Sequence, residues 1–178
     1  MADRWNTPGP LVAPEQRRGG VVDIYLRVDG VTGESEDAKH KGWIGVDSIA
    51  GGVANAGAFA YGSGGGSGKA QWNDLAVRCK FDKSFPILML KCASGEHIGS
   101  VEISASKAGG EQWEFMNVRL EGVLISSVNL SGSEYTEPMF DVGFNFQKIT
   151  VQGKGQTSMG TMGPAVTGSW NVKDNAII

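Results

Sequence analysis

Two kinds of residue in this chain have the types and spacing that phosphate, metal or proton chemistry uses. The first is the run Gly64-Gly65-Gly66-Ser67-Gly68-Lys69, glycines ending in a lysine, which invites comparison with a phosphate-binding loop. It fails in detail. Ser63 stands where that motif opens on glycine, and Ala70 follows Lys69, so no hydroxyl is left for Mg²⁺. What comes next reads as a strand, so no helix N-terminus faces a phosphate. The second kind is the histidines, His40 and His97, each near a carboxylate along the chain, Asp37 and Glu96. Neither spacing matches a metal-ligand run, and both read as surface turns with ordinary charges. Glu34-Ser35-Glu36-Asp37 lacks the alternating oxygens and late Glu of a calcium loop. There is no G-x-S-x-G, and no acid–base pair that sequence alone forces together. Cys79 and Cys92 form no CxxC and read as two buried reduced thiols. The residues predict no catalytic site, no cofactor and no metal.

The elements around these residues are mostly strands. Alternating apolar residues mark strands near 21–28, 41–50, 69–81, 98–106, 111–120, 123–130, 139–151 and 169–172. In 41–50, Ile44 and Val46 share one parity and Ile49 the other, which predicts a β-bulge at Asp47-Ser48. The same break between Phe146 and Ile149 predicts a second bulge at Gln147-Lys148. Residues 131–138 and 153–168 read as loops, and Gly109-Gly110 as a hairpin turn. Residues 1–20, with Pro8, Pro10 and Pro14, have no period and read as an extended or flexible arm ahead of one domain over 21–178.

One stretch breaks the pattern. In residues 84–94, Ser84 suits an N-cap, Pro86 falls in the first turn and Gly95 suits a left-handed end. The helix so predicted is apolar nearly all round, with Phe85, Leu88, Met89 and Cys92 on one face and Ile87, Leu90 and Ala93 on much of the other. Such a helix must be covered on both sides. One sheet covers one side; the other needs the rest of the same domain or another copy of the protein.

Length and composition bound the function. The chain has 178 residues and 27 glycines, and is 40% hydrophobic, enough for one cored domain. A net charge of −3 leaves no electrostatic footprint for nucleic acid or an anionic membrane. No apolar run approaches the ~20 residues of a membrane span. Met1-Ala2-Asp3-Arg4-Trp5-Asn6 has no hydrophobic signal region, so synthesis in the cytoplasm without a signal peptide is expected.

Four sets of motifs together resemble the hemolysin-coregulated protein (Hcp) family, the inner-tube protein of bacterial type VI secretion systems. They are Asp23-Ile24-Tyr25-Leu26 with Gly30 and Gly33-Glu34-Ser35-x-Asp37-x-x-His40; Lys83-Ser84-x-Pro86-x-Leu88 leading to Cys92-x-x-Gly95-x-His97-Ile98; Lys107-Ala108-Gly109-Gly110 with Val123-Leu124-Ile125-Ser126-Ser127; and Phe144-x-Phe146-x-x-Ile149 with Gly168-x-Trp170-Asn171. In order and spacing they span roughly residues 21–172. The resemblance implies a mainly β fold, a β-barrel of two sheets with one flanking helix, assembling as a hexameric ring. Rings stack into a hollow tube driven by a contractile sheath, tipped by a spike and able to carry effector proteins. It implies a structural protein, not an enzyme, secreted by the type VI route to the outside or into a target cell. The arm 1–20 is longer than the family pattern, and the glycine-rich loop is richer in Ala and Gly.

Three sets of residues follow as expectations. Phe85, Leu88 and Leu90 lie in or next to an intersubunit seam. The loop 51–68 protrudes and stacks on the next ring through Val53, Phe59 and Tyr61. Gly45, Ser48 and Ala50, opposite the core-facing Ile44, Val46 and Ile49, line the channel. The rival readings are a monomeric barrel binding a small ligand, a tail-tube protein of a phage-like injection system, and a hydrolase using His40 or His97.

Overall fold

The computed structural model describes residues 22–55, 69–107, 113–156 and 161–178. The arm 1–20, Phe59, Tyr61 and the turn at Gly109-Gly110 lie outside them.

Among the described residues, ten strands and one helix follow in the order β1 (Val22–Val28), β2 (Ile44–Ala50), β3 (Val53–Asn55), β4 (Ala70–Trp72), β5 (Leu75–Lys80), α1 (Ser84–Ser94), β6 (His97–Lys107), β7 (Trp113–Ser133), β8 (Thr136–Gln156), β9 (Met162–Asn171) and β10 (Ala176–Ile177). The order β8-β5-β2-β1-β6-β7 closes on itself because β7 also pairs with β8. Every neighbouring pair is antiparallel. Closure gives each of the six barrel strands a partner on both sides, and β9 and β10 extend the sheet beyond β8.

The strands form where alternation says they should. On β1, Leu26 and Val28 are buried and Arg27 is exposed. On β5, Leu75, Val77 and Cys79 are buried between exposed Arg78 and Lys80. Phe140, Val142 and Phe144 from β8 meet Leu26, Ile44, Leu120 and Ile103 in a filled interior.

The bulge expected at Asp47-Ser48 is there. Val46 pairs with Cys79 and Ser48 with Arg78, so Asp47 is the extra residue. The bulge expected at Gln147-Lys148 is not. Phe146 and Ile149 are both buried, so the parity does change, but β7 changes with it. Val123 stays opposite Phe146 and Glu121 opposite Lys148 without a register shift. Between them Gly122 has φ of +61°, a left-handed conformation that lets β7 kink where glutamate and valine flank it. The kink marks a joint: β8 pairs with β5 through Phe144 and with β9 from Lys148 onward.

Four other boundaries differ. The loop expected over 131–138 is only the turn between Ser133 and Thr136, which pair with each other. The two strands expected over 111–130 are one, because the Gly122 kink does not end the ladder. The loop expected over 153–168 is largely strand, with Lys154 opposite Ala165 and Gly153 opposite Val166. Its glycines have no side chains to reveal a period. The strand expected over 69–81 is two strands. Trp72 and Leu75 have opposite parity, and β4 turns away to pair with β3 as a two-stranded ribbon.

Candidate functional site

The helix is where expected, but its cap is not. Lys83 occupies the N-cap position without a side-chain bond, and the Asp82 carboxylate accepts from the Ser84 N–H at 2.9 Å and from the Ser84 hydroxyl. Ser84 is therefore buried and donating rather than capping. Gly95 ends the helix with φ of 66°, donating its N–H to the Cys92 carbonyl at 3.2 Å.

The two faces of α1 separate cleanly. Leu88 is 0% exposed inside the core. Phe85 sits half-buried between Phe81 and Phe140, with ring centroids at 5.3 and 5.4 Å. On the outer side Ile87, Met89 and Leu90 are 39%, 46% and 64% exposed. Of the three residues expected at a seam, only Leu90 offers apolar surface in the open. Leu88 has none left to offer, because it completes this chain's own core.

Val53, expected at the protruding loop, lies on β3 opposite Trp72 and is exposed. The segment 51–68 thus begins as the stem of a hairpin; Phe59 and Tyr61 lie outside the described residues. Gly45, Ser48 and Ala50 are exposed on β2, while Ile44 is buried and Val46 and Ile49 pack on the core. The bulge at Asp47 is what keeps Ile49 inward and Ser48 outward.

The histidines split. His97 is exposed at the start of β6, beside a Glu96 that pairs with Lys91. His40, expected on a surface turn, is only 5% exposed. It is carried inward by the loop 33–43, which folds back on itself: the Gly33 N–H donates to the Gly42 carbonyl at 2.8 Å and the Ser35 N–H to the Trp43 carbonyl at 3.0 Å. A Cβ on Gly33 would come within 2.3 Å of the Trp43 carbonyl oxygen, so only glycine fits. Tyr25 stacks on the imidazole at 4.4 Å and Trp43 meets it edge-on at 4.9 Å.

His40 Nδ1 lies 2.8 Å from Asp37 Oδ1, and Nε2 lies 3.0 Å from Ser104 Oγ. This is an Asp–His–Ser relay assembled from a loop and a strand. Its chemistry is nonetheless that of a strut. The Ser104 hydroxyl donates to Glu114 Oε2 at 2.8 Å, so its proton points away from the imidazole that would have to take it. Ser104 is also 0% exposed, out of reach of any substrate. Asn117 donates to Glu114 and to Glu102, and Glu102 pairs with Arg27, whose guanidinium lies 5.1 Å over the Trp43 ring. Burial pushes the Glu114 carboxyl up, but the Ser104 and Asn117 hydrogen bonds and the Lys154 ammonium together hold it below the usual glutamate value. Burial chiefly, and then Asp37 and Asp23, raise the Tyr25 phenol. Nothing local in the sequence announces this cluster: His40 and Ser104 are 64 residues apart.

Cys79 and Cys92 are both free thiols. Burial foremost, with Asp82, Asp141 and Asp47 nearby, pushes Cys79 up to about 12, which makes it inert.

The chain matches known proteins over most of its length. The model of a family described as "Type VI secretion system effector, Hcp" matches residues 25–152. Protein hcp1 of Pseudomonas aeruginosa is 36% identical over 157 residues, covering 86% of this chain and 97% of its own. A solved structure described as a type six secretion system protein superposes with a TM-score of 0.84 at 26% identity, covering 89% of this chain and 100% of its own. Hcp1 from Salmonella typhimurium superposes with a TM-score of 0.72 at 27% identity, covering 88% and 99%.

Proposed function

The chain belongs to the Hcp family of the type VI secretion system, and from that membership we propose what each of its surfaces does. The protein is a structural subunit of the secretion tube. Copies close into a hexameric ring, and rings stack into a hollow tube. A contractile sheath expels the tube behind its spike, and the channel carries effector proteins. The subunit is made in the cytoplasm and leaves by this route; among the described residues no helix is long and apolar enough to cross a membrane.

The observation that carries the ring is the outer face of α1. Ile87, Met89 and Leu90 stand together with their side chains in the open, on a helix whose inner face is already in use. Burying apolar area gains roughly 25 cal/mol per Å². Cyclic symmetry repeats the contact at every seam, so a small patch acts many times in one ring. Leu90 with Ile87 and Met89 forms the contact, and Phe85 and Leu88 hold the helix up from beneath. Val53, with the loop above it, faces the next ring. Gly45, Ser48 and Ala50 face the channel, where small and polar side chains hold cargo weakly enough to release it. The filled interior, with Phe140 and Phe144 at 0% exposure, argues against a barrel that binds a ligand within.

The test is a pair of outward substitutions, Met89→Asp and Leu90→Asp, followed by size-exclusion chromatography with light scattering. Folded monomers are expected. Rings of wild-type mass from the double variant would overturn the assignment of this face.

A further inference from the structure

An open groove of about 570 Å³ runs over the outer face of β1 and β2 beside the end of β5. Its floor is Gly45, where a Cβ would meet nothing within 4 Å. Tyr25 and Phe81, the latter 48% exposed, give it aromatic walls. Five carboxylates line it against one ammonium, that of Lys80. Three of the five are engaged. Glu137 pairs with Lys80 at 2.9 Å, Asp82 accepts from the Ser84 N–H at 2.9 Å, and Glu34 accepts from the Lys83 N–H at 3.1 Å. Asp23 and Asp47 have neither a hydrogen bond nor an ion pair from their side chains among the described residues.

The chain itself enters at this groove, since Val22 is one of its lining residues. The twenty residues before Val21 carry Arg17-Arg18 close to that entry and Pro8, Pro10 and Pro14 further out. We propose that this N-terminal arm docks in the groove of its own subunit, with Arg17 and Arg18 against Asp23 and Asp47 and the proline-rich part along Tyr25 and Phe81. Arg18 is four residues from Val22, which an extended chain spans in about 13 Å. The charges are complementary where the tether is shortest, and a tethered segment binds at a high effective concentration. Proline-rich chain is pre-extended, so laying it on aromatic side chains costs little further entropy. The arm lies outside the residues that the family model matches, so the docking is a property of this chain and does not depend on which face lines the channel.

Carboxylate labelling of the full-length chain, with a water-soluble carbodiimide and a small amine read by mass spectrometry, tests it. The double variant R17E/R18E is expected to raise the labelling rate of Asp23 and Asp47 by roughly threefold, the loss of two partly exposed charge pairs. Glu134, exposed on the β7–β8 turn, serves as the internal standard. R17K/R18K keeps the charge and is expected to keep most of the protection. Both variants alter only the arm, so the barrel's own folding is not at stake. Equal labelling of Asp23 and Asp47 in wild type, R17E/R18E and R17K/R18K would overturn the proposal.

Discussion

Strand β1 separates two polar regions that are built in opposite ways. On the β6 side, buried His40 and Ser104 are bound to each other and, through Ser104, to the half-buried Glu114 and Asn117. On the β2 side, Asp23, Asp47 and Ser48 stand open around Gly45. A buried polar group without a partner is costly, so the first region exists only because its donors and acceptors match. An exposed polar group is satisfied by water and stays available. The closed region therefore belongs to the scaffold, and the open one keeps polar groups accessible for further contacts. The helix repeats the contrast in apolar form, with Leu88 inside and Leu90 outside.

The largest effect expected is at the closed end of that contrast. Leu88→Ala should cost about 2–5 kcal/mol, because it leaves a cavity where packing is complete. Leu90→Ala should stay within about 0.5 kcal/mol for the dissociated chain. Urea unfolding of both variants at low protein concentration checks this. Equal losses would erase the distinction between the two faces.

Next comes Ser104→Ala. It removes one hydroxyl and leaves the buried His40 Nε2 without its partner, while Glu114 Oε2 keeps its bond from Asn117, so about 1–3 kcal/mol should be lost. Ser48→Ala on the open side should be neutral by the same denaturant measurement. A neutral Ser104→Ala would mean that the relay contributes nothing to the scaffold.

That contrast also explains what could be read without the structure. Alternation exposed β1, β2 and β5 because each has one wet and one dry face. The same signal failed for β9, whose Gly163, Gly168 and small neighbours carry no period although the ladder holds them. An all-apolar α1 was legible as a helix, but not which face was the inner one, since no polar stripe marks the outside. Asp47's bulge was legible because it shifts side chains on one strand. The joint at Gly122 was misread as a bulge because β7 and β8 shift together. His40 differs from the surface reading because its loop folds back over the paired Tyr25 of β1 and Ser104 of β6, a contact 64 residues distant that no local pattern announces.

A smaller effect is expected from acid. Glu114 in the folded chain sits below its usual value, so its contribution to stability is complete above the ordinary glutamate range and is lost as pH falls through the lowered value. Glu114→Gln should therefore be less stable than wild type at neutral pH, and the gap should close below the glutamate range. Thermal melts across that window test it; a gap independent of pH would show that the charge of Glu114 is not what the cluster holds.

The smallest effect on the fold, and the sharpest on function, is expected on the open face of β2. Ser48 sits just past the bulge and points outward, opposite Arg78 on β5. Ala50 points the same way at the end of the strand. Neither packs on the core, so Ser48→Arg and Ala50→Trp should leave unfolding unchanged within about 0.5 kcal/mol. They should also leave rings intact, since the seam assigned to α1 is elsewhere. On the proposed assignment of this face to the channel, a long cation or an indole would narrow the channel and alter its chemistry at six places in every ring. The amount of a co-expressed effector pulled down with the rings, and its half-life in cells, should both fall. Intact rings with unchanged cargo would put Ser48 and Ala50 outside the channel. Broken rings would make the β2 face part of a seam, and the open region would then be scaffold shared between subunits.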